Sequence, residues 1–201
     1  MNEAELRARL AAVAALPRDG FIAYGEEMLD GMGRAPTPAA VLVPVVLGPN
    51  PGILLTKRTA HLKQHAGQVS FPGGRIDPED DSPEAAALRE AREEIALDSR
   101  HVEIVGRMAD YITGTGYRIT PILGLLPPGL GYEPSPDEVE AVFELPIGVL
   151  LDPAAPQRQK QHVRGAWREY WVWPHPSHFI WGATAAILVH LAERLREVGA
   201  A

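Results

Sequence analysis

Apolar residues recur along this chain with helical spacing in some segments and with strand spacing in others. Residues 2–15 form an amphipathic pattern that predicts a helix, and residues 179–198 predict a second, longer helix. Buried strands are predicted at 41–47 and 53–58. A turn at 49–52 separates them, so the pattern indicates a hairpin.

The later part of the chain alternates between strand and loop patterns. Two strands are predicted at 102–112 and 117–126, on either side of a glycine-containing turn. Residues 127–136 are rich in Pro and Gly and predict a loop, and residues 157–161 predict a polar loop. Within the first hairpin, Pro44 indicates an edge or bulged position because proline cannot donate a ladder hydrogen bond.

Residues from about 83 onward predict a helix with a well-marked start. Ser82 suits the N-cap, Pro83 suits the first helical position, and Glu84 lies near the positive end of the helix dipole. At about 100° per residue, two opposed faces follow. The apolar face holds Leu88, Ala91 and Ile95, and the acidic face, expected to point outward, holds Glu90, Glu93 and Glu94.

The acidic face of this helix predicts either a metal site or a solvated surface. Like charges at these spacings cost a few tenths of a kcal/mol per pair, and Arg89 and Arg92 are expected to lie to the side of the carboxylates. A hard divalent cation takes oxygen ligands and supplies the missing positive charge. The helix pattern alone leaves both interpretations open.

The order of residues around this helix resembles the Nudix box, G-x5-E-x7-R-E-U-x-E-E-x-G-U, in which U is aliphatic. The resemblance covers residues 73–97 and includes the whole R-E-U-x-E-E core. One extra residue separates Gly74 from Arg89, so the loop before the helix is expected to bulge. Asp81 stands where the box has Glu, and Ala96 replaces the last Gly.

The segment immediately before the box resembles a second signature, LLTxR[SA]x3Rx3Gx3FPGG, of the coenzyme A pyrophosphatase branch of that superfamily. The matching positions are Leu54, Leu55, Thr56, Arg58, Gly67 and residues 71–74. Thr59 replaces Ser or Ala, and Lys63 replaces an Arg whose bidentate contacts Lys cannot reproduce. Weaker similarity at 114–124 and 180–188 extends the resemblance across most of the chain.

The resemblance implies an α+β Nudix fold, a mixed sheet sandwiched between helices, as a single domain over residues 1–201. It implies metal-dependent hydrolysis of the diphosphate bond of coenzyme A (CoA) or acyl-CoA to 3′,5′-ADP and 4′-phosphopantetheine, with Mg²⁺ or Mn²⁺ as cofactor. The length of 201 residues and the hydrophobic content of 46% agree with one core.

The same resemblance implies roles for individual residues. Glu90 and Glu94 hold the metal, and Glu93 is a further ligand or the base for the attacking water. The Gly74 carbonyl completes the metal shell, and Arg89 anchors the loop or the glutamates through hydrogen bonds. The candidate substrate-binding residues are Lys57, Arg58, Lys63 and Gln68. The other candidates for the base or a further ligand are Asp137, Glu138 and Glu140.

Charge is distributed unevenly along the chain, whose net charge is −7. Residues 31–76 contain five Arg or Lys and no Asp or Glu, whereas residues 77–98 contain nine acidic residues. A basic wall beside an acidic cradle suits a small phosphorylated substrate. The acidic balance argues against nucleic acid, no stretch has the apolar length of a membrane span, and the absence of Cys agrees with a cytoplasmic location. We expect a monomer or a homodimer.

Two alternative functions remain open at this point. One is a Nudix enzyme that acts on another nucleoside diphosphate derivative, such as ADP-ribose, or on a nucleoside triphosphate. The other is a non-catalytic Nudix module that senses a nucleotide. The intact set of Glu90, Glu93 and Glu94 disfavours a sensor, since a sensor has no need of a full metal set. His61 and His65 have no third zinc ligand nearby, so phosphate or solvent contacts are favoured for them.

Overall fold

Helices and strands alternate along the computed structural model, which describes residues 1–18, 35–62, 65–163 and 166–200. The helices are α1 (Glu3–Ala15), α2 (Pro83–Ile95), α3 (Ile147–Leu151) and α4 (Gly182–Ala200). The strands are β1 (Thr37–Val46), β2 (Gly52–Arg58), β3 (Val69–Ser70), β4 (Gly73–Arg75), β5 (Glu103–Arg107), β6 (Tyr111–Ile112), β7 (Tyr117–Leu126), β8 (Val139–Pro146), β9 (Gln157–Val163), β10 (Ala166–Trp173) and β11 (Ile180–Trp181).

The main sheet is mixed, with the order β3-β2-β1-β7-β5. β1 and β7 run parallel along their whole lengths, and the other paired strands run antiparallel. Three short or lateral strands complete it, since β4 pairs with β1, β6 with β7 and β8 with β2. A second, antiparallel sheet has the order β11-β10-β9.

Helices cover both faces of the main sheet. On one face, Ala87, Ala91 and Ile95 of α2 pack against Leu42 and Leu54 of the sheet. On the other face lie α1 and α4, with the buried residues Leu6, Leu10, Leu188 and Leu191 packed against Val43, Val45 and Leu55. The predicted α+β fold, a mixed sheet between helices, is therefore confirmed. None of the helices in the described ranges is both long and apolar enough to cross a bilayer.

The start of α2 follows the sequence prediction closely. The Ser82 hydroxyl accepts a hydrogen bond from the Ala85 N–H at 3.1 Å, and Pro83 is the first helical residue. The helix ends at Ala96, whose backbone is left-handed (φ 54°, ψ 29°) and whose N–H bonds back to the last turn. Ala96 is the position at which the Nudix box has Gly, the residue that adopts this conformation at the lowest cost.

Four sequence predictions about secondary structure need correction. Residues 157–161 belong to β9 and not to a loop, because their strand is held by pairing with β10 and not by an apolar face. The last helix starts only at Gly182, after β11. The predicted strand at 102–112 is divided into β5 and β6. Pro44 lies inside a central strand, between the segments of β1 that pair with β4 and with β2.

Candidate active site

The C-terminal half of α2 presents three glutamates to very different surroundings. The Glu93 side chain is 59% exposed, that of Glu90 is 18% exposed and that of Glu94 is only 2% exposed. The Glu94 Oε2 accepts a hydrogen bond from the Gly73 N–H at 3.3 Å. The expectation that all three point outward was therefore wrong, since β4 covers Glu94.

Glycine at position 74 is required by the close approach of Glu90. A Cβ on Gly74 would lie 2.4 Å from the Glu90 Oε1, well inside van der Waals contact. The neighbouring Gly73 has a positive φ of 154°, and a Cβ there would meet the Ala40 carbonyl oxygen at 2.4 Å. Gly74 thus lets the backbone of β4 lie directly against the Glu90 carboxylate of α2, and Gly73 lets it lie directly against β1.

Arg89 lies among the carboxylates and connects them to the preceding loop. Its Nε and Nη2 donate to the two Asp80 oxygens at 3.0 and 2.9 Å, and Nη2 also donates to the Arg75 carbonyl at 3.1 Å. Its Nη1 donates to Glu90 Oε1 at 3.0 Å and to Glu93 Oε2 at 3.2 Å. The expectation that no cation stands between the glutamates was therefore wrong. Arg89 reaches Glu93 because that residue is one helical turn further on.

The loop carboxylate that hydrogen-bonds to Arg89 is Asp80, Asp77 forms a longer ion pair with it at 3.5 Å, and Asp81 is not involved. The Asp80 side chain is 7% exposed, and it also accepts the Asp77 N–H at 2.8 Å, which closes the loop on itself. Asp81 is exposed and has no hydrogen bond or ion pair within the described ranges. The extra residue between Gly74 and Arg89 thus lies after the paired acid, so the position assigned to Asp81 from the sequence belongs to Asp80.

Arg58, at the end of β2, reaches α2 from the side of the sheet. Its Nη1 lies 3.6 Å from the Glu94 Oε1, a contact between charges without a hydrogen bond. Its Nε is buried and has no hydrogen-bond partner among the described residues. Two residues earlier in the same strand, the Thr56 hydroxyl contacts the Ser70 backbone oxygen and hydroxyl at 3.2 and 3.1 Å, which fixes β3 beside β2. Residues of the two sequence signatures therefore meet at Glu94.

The surroundings of the carboxyl groups in this site shift their pKa values in opposite directions. Burial raises the pKa of Glu94 to about 8, although the Arg58 charge opposes that shift. Burial likewise raises the pKa of Glu90, against the hydrogen bond and charge of Arg89. The hydrogen bonds from Arg89 instead lower the pKa of Asp80. The two glutamates are thus short of positive charge, whereas Asp80 is well supplied.

The loop before β8 brings one of the three candidate acids to this site. The loop is attached to the end of α2 by hydrogen bonds from the Glu133 N–H to the Ile95 carbonyl at 3.1 Å and from the Ser135 N–H to the Glu94 carbonyl at 2.8 Å. The charge of Glu138 contributes to the raised pKa values of Glu90 and Glu94. Glu140 instead pairs with Lys57 at 2.7 Å, so Glu138 is the candidate acid whose charge acts on the carboxylates.

Lys57 is directed away from the carboxylates and toward a cluster of rings. It forms an ion pair with Glu140 at 2.7 Å. Beside this pair, the Phe143 ring stacks on His178 with centroids 4.0 Å apart, and His178 stacks on His175 at 4.8 Å. The pKa of His178 is lowered mainly by burial and also by the charges of His175 and Lys57. No sequence pattern indicated this cluster of rings, because they come together only when β8 meets the segment before β11.

The remaining candidate substrate residues lie in the segment after β2. Gln68 is half-buried, and its Oε1 contacts the His65 Nδ1 at 2.8 Å. Its backbone carbonyl accepts the Arg58 N–H at 2.9 Å, so this segment is attached to the end of β2. Lys63 lies outside the described residues.

Comparison with known proteins identifies the family. The family model described as NUDIX domain matches residues 36–180, which include the whole site described above. The chain belongs to the Nudix family. The Nudix hydrolase NudL of Shigella flexneri serotype 5b is 42% identical over 180 residues, which cover 88% of this chain and 94% of that protein.

Solved structures agree with the Nudix fold. The Nudix hydrolase RenU of M. smegmatis superposes with a TM-score of 0.51 at 22% identity, covering 83% of this chain and 88% of that one. A C. elegans Ap4A hydrolase superposes with a TM-score of 0.51 at 18% identity, covering 82% of this chain and 96% of that one. At these identities the two structures support the fold alone.

The donor set of the Nudix site fits a hard divalent cation. Across the described ranges, no three His, Asp or Glu side chains form a ready metal cage, because the carboxylates are turned toward Arg58 and Arg89. However, Glu90 and Glu94 supply carboxylate oxygens that are largely buried and insufficiently neutralised. Such oxygens are the ligands that Mg²⁺ and Mn²⁺ prefer.

Proposed function

We propose that this Nudix protein hydrolyses the diphosphate bond of CoA or an acyl-CoA, producing 3′,5′-ADP and 4′-phosphopantetheine. One observation carries the proposal: Arg58 and Gly73 of the CoA-pyrophosphatase-like signature both contact Glu94 of the Nudix box, Arg58 at 3.6 Å and Gly73 through its N–H. The two signatures thus form one site in the folded chain. The chemistry of that site suits a diphosphate.

We assign the metal to Glu90 and Glu94, with Glu93 and the Gly74 carbonyl as further ligands. When bound, Mg²⁺ or Mn²⁺ supplies neutralisation of diphosphate oxygens and a bound water of lowered pKa. Arg89 holds Glu90 and Glu93 in place and ties them to the Asp80 loop, so that the carboxylates are oriented before substrate arrives. This arrangement reduces the reorganisation required during the reaction.

We assign the general base to Glu138 or Glu93. Glu138 is exposed on the loop attached to α2, and its charge acts on Glu90 and Glu94, which supports a place for it beside the metal site. There it accepts a proton from the attacking water. Water adds to one phosphorus, the bridging P–O bond breaks, and the two phosphate products leave. Glu93 is 59% exposed but accepts a hydrogen bond from Arg89, which makes it the weaker base.

The substrate is tested by product analysis in H₂¹⁸O. Purified protein with Mg²⁺ or Mn²⁺ is incubated separately with CoA, ADP-ribose, a nucleoside triphosphate and diadenosine tetraphosphate, and the products are identified by mass spectrometry. We expect 3′,5′-ADP and 4′-phosphopantetheine from CoA, with one ¹⁸O in one product and the highest kcat/KM of the panel. Preferred cleavage of any other compound would assign the enzyme to that substrate.

The catalytic assignment is tested on the same assay. Glu90→Gln and Glu94→Gln should each lower kcat at least ~10²-fold with the fold intact by circular dichroism, because each removes charge from the metal site. Activity within about tenfold of wild type in both variants would exclude the assigned metal ligands.

The phosphate contacts are tested by comparing CoA with dephospho-CoA. Because Arg58 lies at the carboxylates, we assign it to the diphosphate, and Arg58→Ala should raise KM for both compounds alike. Lys63 and Lys57 remain candidates for the 3′-phosphate. Lys63→Ala or Lys57→Ala should then raise KM for CoA more than for dephospho-CoA, and equal losses would remove that residue from the 3′-phosphate.

A further inference from the structure

The two arginines of the site differ in how completely they are bound. Arg89 donates to Asp80, Glu90, Glu93 and the Arg75 carbonyl, so all its nitrogens are engaged at 2.9–3.2 Å. The Arg58 guanidinium has one charged contact at 3.6 Å and a buried Nε without a hydrogen-bond partner in the described part of the chain. Arg89 is fixed, whereas Arg58 has donors to spare.

The present position of Arg58 is also incompatible with a metal ion bound to Glu94. Glu94 is 2% exposed, and its Oε2 faces the Gly73 N–H, so Oε1 is the oxygen that faces Arg58. A divalent cation binds carboxylate oxygens at about 2.0–2.6 Å with twice the charge of a guanidinium. The bound cation would repel Arg58 at this distance, and the nearest acceptor for Arg58 would become an anion bound to the same cation.

We propose that the Arg58 guanidinium occupies the place of the cation in the metal-free protein. When metal and substrate bind, it moves to the substrate's diphosphate and binds it. The proposal rests on the metal-dependent function proposed above. It accounts for the weak contact with Glu94, since a short hydrogen-bonded pair would be costly to break. It also accounts for the unpartnered Nε, which becomes a donor to a phosphate oxygen.

The proposal predicts that Arg58 opposes metal binding and favours diphosphate binding. Its removal should leave Glu94 without a competing cation, so metal affinity should rise. The same removal should weaken a diphosphate that depends on the metal, because the anion loses a donor. A residue that only supported the structure of the site would weaken both.

The test measures Mn²⁺ binding directly, by electron paramagnetic resonance of free Mn²⁺ or by calorimetry, with and without methylenediphosphonate. This probe is a non-hydrolysable diphosphate without a nucleoside, so the result does not depend on which nucleotide is the substrate. The variants are Arg58→Met, which removes the charge, and Arg58→Lys, which keeps it. The matched control is Lys57→Met, because the adjacent Lys57 pairs with Glu140 and not with the α2 carboxylates.

For Arg58→Met we expect Mn²⁺ to bind about tenfold more tightly than to wild type, and methylenediphosphonate to bind the Mn²⁺ form about tenfold more weakly. Arg58→Lys should retain wild-type Mn²⁺ affinity but bind the diphosphate less tightly, since it lacks the guanidinium fork. Lys57→Met should leave Mn²⁺ affinity unchanged. Unchanged or weaker Mn²⁺ binding by Arg58→Met, with normal binding by wild type, would overturn the proposal alone. Absence of Mn²⁺ binding by wild type would overturn the metal-dependent function as well.

Discussion

Two arginine–carboxylate pairs lie in this site and differ in the strength of their contacts. Arg89 and Asp80 share two hydrogen bonds of 2.9–3.0 Å, and the pKa of Asp80 is lowered. Arg58 and Glu94 are 3.6 Å apart, and burial raises the pKa of Glu94 to about 8 despite that arginine. The comparison separates two tasks. The first pair holds the loop and helix together, and the second retains unsatisfied charge that a ligand can use.

Removing the arginine of the first pair should have the largest effect on stability. Arg89→Met leaves Asp80, Glu90 and Glu93 without their shared donor, and we expect the melting temperature to fall by about 5–10 °C. Arg58→Met should change it by less than about 2 °C at neutral pH, because burial raises the pKa of Glu94 to about 8 and its carboxyl can hold a proton when Arg58 is removed. Thermal unfolding of both variants without metal provides the measurement. Equal losses would mean that the two pairs serve the fold equally.

The two neighbouring aspartates sharpen the assignment of the first pair. Asp80→Asn weakens the hold on Arg89, and we expect the metal concentration for half-maximal activity to rise roughly 10- to 100-fold. Asp81→Asn should leave it unchanged, because Asp81 is exposed and has no partner within the described ranges. Activity is titrated with Mg²⁺ and Mn²⁺ for both variants. A larger rise in this metal concentration for Asp81→Asn would show that Asp81, and not Asp80, is the acid that supports the metal site.

The second pair, Arg58 and Glu94, makes the stability of the metal-free protein depend on pH. Because burial raises the pKa of Glu94 to about 8, the folded state retains a proton that the unfolded chain loses near 4.5. The stability from this protonation is complete below about pH 4.5 and is lost as pH rises through about 8. Glu94→Gln cannot ionise. The variant should exceed wild type by on the order of 2 kcal/mol at pH 9, with the difference fading toward pH 4.5.

Urea unfolding of the two proteins without metal, at several pH values, measures this difference. Excess Mg²⁺ provides the control, since it should stabilise wild type and reverse the order at pH 9. A constant difference between pH 4.5 and 9 would mean that the pKa of Glu94 is not raised by folding, because the charge of Arg58 already balances its carboxylate in the metal-free protein.

The smallest expected effect lies where α2 ends, beyond both pairs. Ala96 is exposed and left-handed, a conformation that costs a residue with a Cβ more than it costs glycine. Ala96→Gly should raise the free energy of unfolding by roughly 0.5–1 kcal/mol without changing activity. Ala91→Gly, at a buried position within the helix, is the control and should lower it. A loss of stability in Ala96→Gly would show that this end of the helix has another conformation.

The sequence predicted those parts of the site that depend on local signals. The capped start of α2, its apolar side and the run of glutamates all follow from residues a few positions apart. The different exposures of Glu90, Glu93 and Glu94 do not, because they depend on β4 and on Arg58, which are distant in sequence. The choice of Asp80 over Asp81 depends on where the extra loop residue lies. The strand β9 carries almost no apolar residues, so no hydrophobic pattern distinguished it from a loop.

The parallel pairing of β1 with β7 sets the order in which the molecule can be assembled. Their paired residues are about 80 positions apart in sequence, since Thr37 pairs with Tyr117. Closing such a span is slow, because chain entropy is lost before the contacts repay it. Glu90 and Glu94 lie inside the span, and Glu138 lies beyond it. During synthesis, the carboxylates of α2 can therefore acquire their sheet surroundings only after residue 126 is available, and their loop acid later still.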